Sequence, residues 1–261
     1  MMKPFLYLLV AVLAVLTVSC SKTDHKKERG SLKALSRIQR IEGIDYDHFL
    51  EYTIGNEIKG IKVQNLLGEE LLRRVFTYDS GKLTSLSYMN RRVEYTHLPD
   101  QNCIIDVKDL GGRRIERHYV SFSNNKVLKD DKFVLINNQW VPSNKAEYLY
   151  DSMGNLTEKQ IYIRNANEWN YYYSIKYQEY DNFINTSWHL QLKEIIAFPY
   201  QEKVVMGNPG KILYVNNEGK ILQELRYTYE YDSLKRKIKE IETHYMFDRL
   251  VNSDTSIFHY Y

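Results

Sequence analysis

The hairpin signal is clearest at residues 147–162, which read EYLYDSMGNLTEKQIY. Tyr148 and Tyr150 alternate with a charged and an aliphatic residue, as expected for a strand whose two faces meet different surroundings. Asp151 can accept hydrogen bonds from the turn that follows, and Gly154 can adopt the positive φ that a side chain would resist. The stretch therefore predicts two antiparallel strands joined by a short loop.

The same pattern recurs along the chain and predicts several turns of this kind. The predicted turn residues are Asp79, Gly81, Asp151, Gly154, Asp181, Gly219 and Asp232. A larger unit also repeats, because an Asn-x-Trp sequence precedes a strand pattern at both Trp140 and Trp169. These repeats indicate a chain built from consecutive hairpins.

Strand-like alternation and 23 tyrosines indicate the fold class. Tyrosine favours strands because it buries a large ring and keeps its hydroxyl hydrated. We predict an all-β protein, a sequential antiparallel meander of about a dozen strands in a twisted open sheet that can curl towards a barrel. Leu32, Leu35, Ile38 and Ile41 recur every three residues and indicate one short N-terminal helix.

The Tyr-Asp turns resemble the YD repeats of Rhs-type proteins. With Asn-x-Trp before the incoming strand, they resemble more closely the YD-like hairpins of uncharacterised Bacteroidota lipoproteins. The resemblance covers residues 76–261. It implies a hairpin architecture and no particular activity.

The N-terminus has the pattern of an export signal. Lys3 precedes residues 5–18, a run of 14 without a charged side chain, which is shorter than the 20 or so residues of a spanning helix. Residues 16–20, LTVSC, resemble a bacterial lipobox, in which the cysteine is lipidated and becomes the first residue of the mature chain. We therefore predict a signal peptide at residues 1–19 and lipidation of Cys20.

A basic segment follows Cys20. Residues 21–40 hold seven basic and two acidic side chains, so we predict a tether at residues 20–45 and the β domain at residues 46–261. Acidic residues do not follow Cys20 directly, as they would in a surface-export signal, so we expect the periplasmic side of the outer membrane. Outside the tether the charges nearly balance, which argues against a nucleic-acid partner.

The motifs of common enzyme classes are missing from the sequence. There is no Gly-x-Ser-x-Gly elbow, no His-Glu-x-x-His helix, no P-loop and no dinucleotide fingerprint. The seven histidines are scattered. We predict a protein that is not an enzyme and has no catalytic residues, metal site or cofactor.

Aromatic residues are the candidates for ligand contact. The residues that could stack against a ligand are Trp140, Trp169, Tyr171, Tyr172 and Tyr173. Consecutive tyrosines in a strand point to opposite faces, so at least one should be exposed. Cross-strand aromatic packing is the alternative use of the same residues.

We therefore expect a cell-envelope lipoprotein that offers a β-sheet surface for binding or scaffolding, with a carbohydrate or protein ligand. One alternative is a hydrolase of envelope or host glycans, which requires two carboxylates about 5 to 10 Å apart in a cleft. Another is a carrier of lipids or lipoproteins, which requires a curled sheet with an apolar concave face. The sequence leaves the ligand and the oligomeric state open.

Overall fold

The computed structural model describes residues 37–54, 57–100, 102–124, 126–185 and 205–261, and of residues 184, 185, 205 and 206 it describes the backbone. The chain divides into two compact units. One is Ile38–His259, which contains the strands described below apart from Tyr260, the last residue of β18. Of the described residues, the other unit contains Arg37, Tyr260 and Tyr261, and in it the Tyr261 N–H donates to the Arg37 carbonyl at 3.1 Å.

Eighteen strands follow one another along the described chain. They are β1 (Ile38–Glu42), β2 (Tyr46–Tyr52), β3 (Ile58–Asn65), β4 (Glu70–Asp79), β5 (Lys82–Tyr88), β6 (Arg91–His97), β7 (Cys103–Lys108), β8 (Arg114–Ser123), β9 (Lys126–Ile136), β10 (Gln139–Tyr150), β11 (Leu156–Asn165), β12 (Glu168–Tyr180), β13 (Ile184–Asn185), β14 (Val205–Met206), β15 (Pro209–Asn216), β16 (Ile221–Tyr231), β17 (Lys237–Met246) and β18 (Arg249–Tyr260).

All strands except β13 and β14 form one closed barrel of 16 strands. Each barrel strand pairs antiparallel with the next barrel strand along the chain, so that β12 pairs with β15, and β1 meets β18 to close the ring. The all-β class and the antiparallel meander are thus confirmed. The closed barrel of 16 strands goes beyond the predicted open sheet of about a dozen strands that can curl towards a barrel. Closure depends on the twist accumulated over the whole sheet, which no local pattern encodes.

The predicted N-terminal helix is wrong in its described part. Ile38 and Ile41 lie in β1, where both are buried, while Leu32 and Leu35 lie outside the described residues. Strand β1 also belongs to the segment predicted as a tether, so the barrel begins before residue 46. Within the described residues, none forms a helix long and apolar enough to cross a membrane.

Side chains alternate between an inner and an outer wall. In β4, Arg74 and Phe76 are buried, whereas Arg73 and Val75 are exposed. Following the strand register, the buried face continues around the barrel and includes Leu50, Ile61, Leu86, Val93, Ile105 and Val120, each at most 2% exposed. This part of the inner wall is therefore a packed apolar core.

One five-residue turn joins many of the strands. After β10, the Asp151 N–H donates to the Asn155 carbonyl at 3.0 Å, the Gly154 N–H donates to the Asp151 carbonyl at 3.1 Å, and the Asn155 N–H donates to Asp151 Oδ1 at 2.8 Å. The same three hydrogen bonds occur in the turns that begin at Asn65, Asp109, Asn216 and Asp232. The turn is a structural repeat of the chain.

The turn between β12 and β15 is a copy of this turn with an insertion. The Asp181 N–H donates to the Asn208 carbonyl at 3.1 Å, and the Asn208 N–H donates to Asp181 Oδ1 at 2.8 Å. Gly207 has a φ of 92°, close to the 94° of Gly154. Residues 182–206, 25 in number, thus stand where the shorter turn has only Ser152 and Met153.

Hydroxyl groups of tyrosines tie neighbouring strands together at the end of the barrel that holds these Tyr-Asp turns. Tyr150 donates to the Val127 carbonyl at 2.9 Å, Tyr180 donates to the Leu156 carbonyl at 2.6 Å, and Tyr229 donates to the Pro209 carbonyl at 2.7 Å. Each accepting carbonyl lies at the start of the preceding strand. Much of the tyrosine content therefore supports the repeated hairpin.

Candidate binding surface

The two candidate tryptophans lie on the outer wall at one end of their strands. Trp140 is the second residue of β10 and Trp169 the second residue of β12. Both side chains are half-buried. Their strands, β10 and β12, are separated in the sheet by β11 alone, so both tryptophans belong to one region of the wall.

The three tyrosines of β12 divide between the walls through a β-bulge. Ile161 pairs with Tyr173 and the next residue, Tyr162, pairs with Tyr171, which leaves Tyr172 as the extra residue. Tyr171 meets Tyr162 edge-on at 5.7 Å between ring centroids. Tyr172 is 53% exposed, and burial together with the neighbouring Tyr172 raises the pKa of Tyr173.

Cationic side chains lie over the outer-wall rings. The guanidinium of Arg117 is 5.0 Å from the Trp140 ring centroid, and that of Arg164 is 5.3 Å from Trp169. The Lys145 ammonium lies 5.9 Å from Trp169 and 4.3 Å from Tyr162. Such contacts contribute about 0.5 to 1 kcal/mol each at exposed sites, and they fix the orientation of the rings.

Carboxylates hold two of these cations in place. Arg117 donates two hydrogen bonds to Asp106, at 2.7 and 3.0 Å, and this pairing raises the pKa of Arg117. Lys145 donates to Glu147 at 2.7 Å. Arg164 donates from Nε to the Ala166 carbonyl at 3.2 Å, and a guanidinium has further N–H donors to offer a ligand.

We call this region the aromatic surface and define it by Trp140, Tyr162, Trp169 and Tyr171 with Arg117, Lys145 and Arg164. The sequence alone did not identify the cations. Arg164 could have been found, because it pairs with Trp169 across the two-residue turn of a single hairpin. Arg117 could not, because its strand β8 is separated from Trp140 by β9.

The inner wall carries a buried ionic cluster on β8 and β9. His118 is 5% exposed, and its Nδ1 lies 2.8 Å from Asp130 Oδ1. On the other side, His118 Nε2 lies 3.8 Å from Glu116, which also contacts Lys132 at 2.8 Å. The cluster faces the packed core, so it has a structural role in our interpretation.

Charge in this cluster changes the pKa of two groups. Burial by itself lowers the pKa of His118, but the neighbouring carboxylates of Asp130 and Glu116 raise it above its ordinary value. The pKa of Glu116 is lowered to about 2, chiefly by His118 and also by Lys132 against the opposing effect of burial. The two carboxylates therefore favour the protonated form of His118.

The predicted turn residues have the following positions in the structure. Asp151 and Asp232 accept backbone hydrogen bonds within their turns, and Asp181 does so in the turn with the insertion. Asp79 instead precedes a two-residue turn in which Ser80 and Gly81 both have positive φ.

Gly154 and Gly219 each occupy a positive-φ position of the repeated turn. Cys20 lies outside the described residues. Among the residues that are described, no group of three or more His, Cys, Asp or Glu side chains could hold a metal ion.

The sequence matches no protein-family model and no curated protein. Two crystal structures share the fold. A porin-like protein from Bacteroides uniformis aligns with a TM-score of 0.57 at 10% identity, over 87% of this chain and 98% of its own. A porin-like protein from Bacteroides vulgatus aligns with a TM-score of 0.55 at 13% identity, over 87% of this chain and 99% of its own.

Proposed function

We propose that this protein is a non-enzymatic lipoprotein of the cell envelope, anchored through Cys20, whose aromatic surface binds a carbohydrate or a protein ligand. The observation that carries the proposal is the concentration of Trp140, Trp169 and Tyr171 on one region of the outer wall, where cations lie over the tryptophan rings. Rings held in this way present a stacking surface with little entropy left to lose on binding.

The polarity of the outer wall supports attachment through a lipid rather than through the barrel itself. Barrels that span a membrane carry an apolar band outside and a polar interior. Here the outer wall holds ion pairs on many strands, among them Arg73–Glu51 at 3.0 Å and Lys108–Glu94 at 2.6 Å. An outer wall of this kind is suited to water, and the lipid on Cys20 would then provide the attachment.

The envelope location has support from the two structural neighbours, which are described as porin-like proteins of Bacteroides species. Export is in addition expected from the N-terminal sequence. The periplasmic side of the outer membrane remains our proposal, because acidic residues do not follow Cys20 directly.

The two alternative functions fit the inner wall less well. A lipid carrier needs an open apolar lining, yet Val93, Ile105 and Val107 are 0% exposed. A hydrolase needs carboxylates that a substrate can reach, whereas Asp130 and Glu116 pair with the buried His118. The outer wall offers a ligand more accessible groups than the inner wall does.

Binding is tested with residues 20–261 carrying Cys20→Ser, used in a pull-down from native envelopes and on a glycan array. We expect saturable binding that is lost in Trp140→Ala or Trp169→Ala. The matched control is Tyr245→Ala, which removes a ring under Arg226 at 4.8 Å on another part of the outer wall. If the control loses binding to the same degree, the aromatic surface is not the site.

Anchoring is tested separately by fractionating cells. We expect the unmodified protein in the membrane fraction. We expect residues 20–261 with Cys20→Ser, exported behind a signal peptide that is cut without lipidation, in the soluble periplasmic fraction without detergent. A Cys20→Ser protein that still requires detergent for extraction would contradict the water-exposed outer wall.

A further inference from the structure

Exposed apolar side chains form an arc of turns at one end of the barrel. In an antiparallel meander, alternate connections lie at the same end, so the turns after β17, β1, β3, β5 and β7 are neighbours around the ring. Their exposed residues are Phe247 (56%), Ile44 (51%), Leu66 (69%), Leu67 (85%), Met89 (66%) and Leu110 (77%). We call these six residues the apolar rim.

Two of these residues occupy positions where the backbone disfavours them. Met89 has a φ of 47° and Phe247 a φ of 48° in two-residue turns. Glycine and asparagine adopt such angles at lower cost than larger side chains. At the opposite end of the barrel, the corresponding two-residue turn uses Ser80 and Gly81. The apolar residues are therefore kept at the rim despite the strain.

Arginine pairs follow two of the rim residues. Arg91 and Arg92 come directly after the turn at Met89, and Arg113 and Arg114 come after Leu110. The side chains of Arg92 and Arg114 remain 61% and 52% exposed, although each contacts a carboxylate. At Met89 and Leu110, apolar side chains thus lie beside accessible guanidinium groups, the combination that anionic lipid surfaces attract, whereas Asp45, Glu69 and Asp248 lie beside the other rim residues.

The spacing of the rim favours lipid over a protein partner. Neighbouring turns at this end are two strands apart, which is roughly 10 Å. Each turn thus presents one or two separate side chains instead of a continuous apolar patch. A fluid lipid interface can accommodate separated side chains, while a protein partner would need a matching pocket for each.

We propose that the apolar rim docks the barrel onto an anionic phospholipid surface. The proposal rests on the lipid anchor of the proposed function, which keeps the barrel beside a bilayer. Between Cys20 and β1 there are 17 residues, which span at most roughly 60 Å when extended. This length is enough for the rim to reach the membrane that holds the anchor.

The test uses residues 20–261 with Cys20→Ser, so that neither the lipid nor the apolar signal peptide contributes to binding. The protein is sedimented with vesicles of phosphatidylethanolamine and phosphatidylglycerol, and separately with vesicles of phosphatidylcholine alone. We expect measurable binding to the anionic vesicles and weaker binding to the neutral ones.

A rim variant combines Leu66→Ser, Met89→Ser and Leu110→Ser. We expect it to bind at least about tenfold more weakly, equivalent to about 1.4 kcal/mol, because each change removes an apolar side chain from the interface. Circular dichroism shows whether the variant retains its β structure. These exposed positions lie outside the core, so the variant should retain its β structure.

The control variant makes the same kind of change at the other end of the barrel. Ile54, Met153 and Leu234 are exposed there by 105%, 61% and 48%, and we expect their replacement by serine to leave vesicle binding unchanged. Equal loss in both variants, or no binding of the Cys20→Ser chain to anionic vesicles, would overturn the proposal. Neither result bears on the aromatic surface, which the Trp140 and Trp169 variants test.

Discussion

The insertion between Asp181 and Asn208 can be removed to test whether it interrupts an otherwise ordinary turn. Replacing residues 182–206 with Ser-Met creates the sequence Asp-Ser-Met-Gly-Asn, which is identical to residues 151–155. The retained residues already have the required geometry, since Gly207 and Gly154 have φ angles of 92° and 94°. We expect the shortened chain to fold into the same barrel.

The expected change in stability follows from two opposing effects. Shortening the loop from 25 residues to two lowers the entropy cost of closing it by roughly 2 kcal/mol. The deletion also removes Phe183, whose ring stacks on Tyr231 at 4.1 Å, and such a pair contributes about 0.5 to 1.5 kcal/mol. The net gain is on the order of 1 kcal/mol, which raises Tm by about 2 to 4 °C for a domain of this size.

Thermal unfolding followed by circular dichroism measures this change in the Cys20→Ser background. Asp181→Ala serves as the control in both chains. It should destabilise both by a similar amount, because Asp181 accepts hydrogen bonds from the Asn208 N–H and the Tyr231 hydroxyl in the retained part of the turn. A shortened chain that fails to fold, or that melts well below its parent, would refute the equivalence of the two turns.

Two further predictions concern the polar contacts of His118 and Tyr180. The unfolding free energy should fall as the pH rises from 6 to above the folded pKa of His118. A raised histidine pKa stabilises the fold below about pH 6.5, and that contribution is lost above the folded pKa. His118→Gln should remove this part of the pH dependence, measured by urea unfolding at several pH values. Tyr180→Phe should cost about 1 kcal/mol, the usual contribution of one hydrogen bond, because its hydroxyl donates to the Leu156 carbonyl at 2.6 Å. Tyr172→Phe is the matched control at a side chain that is 53% exposed, and an equal loss there would argue against a specific role for the buried hydroxyl.

The repeated turn shows how far local sequence can lead. Asp151 and Gly154 predict their turn because the capping carboxylate and the positive-φ residue lie three positions apart in the chain. The turn after β5 lacks such a signal, since Met89 and Asn90 form it without glycine. Strands joined by turns of that kind are the reason for the low predicted strand number.

The residues of the aromatic surface also differ in how far the sequence alone could predict them. Trp140 and Trp169 are recognisable as candidates from the repeat, and Arg164 is within reach of a hairpin argument. The pairing of Arg117 with Trp140 depends on the register of β8, β9 and β10 together. No residue near Trp140 in the sequence indicates that an arginine from β8 lies over its ring.

The sequence by itself determined the all-β class, the antiparallel hairpins and their capping residues, because each of these depends on interactions between residues that are close in the chain. Closure of the ring between β1 and β18, the division into a packed inner wall and a charged outer wall, and the arc of apolar turns depended on the tertiary structure. They depend on the sum of twist and register over 16 strands, and a change of one residue in register would exchange the two walls.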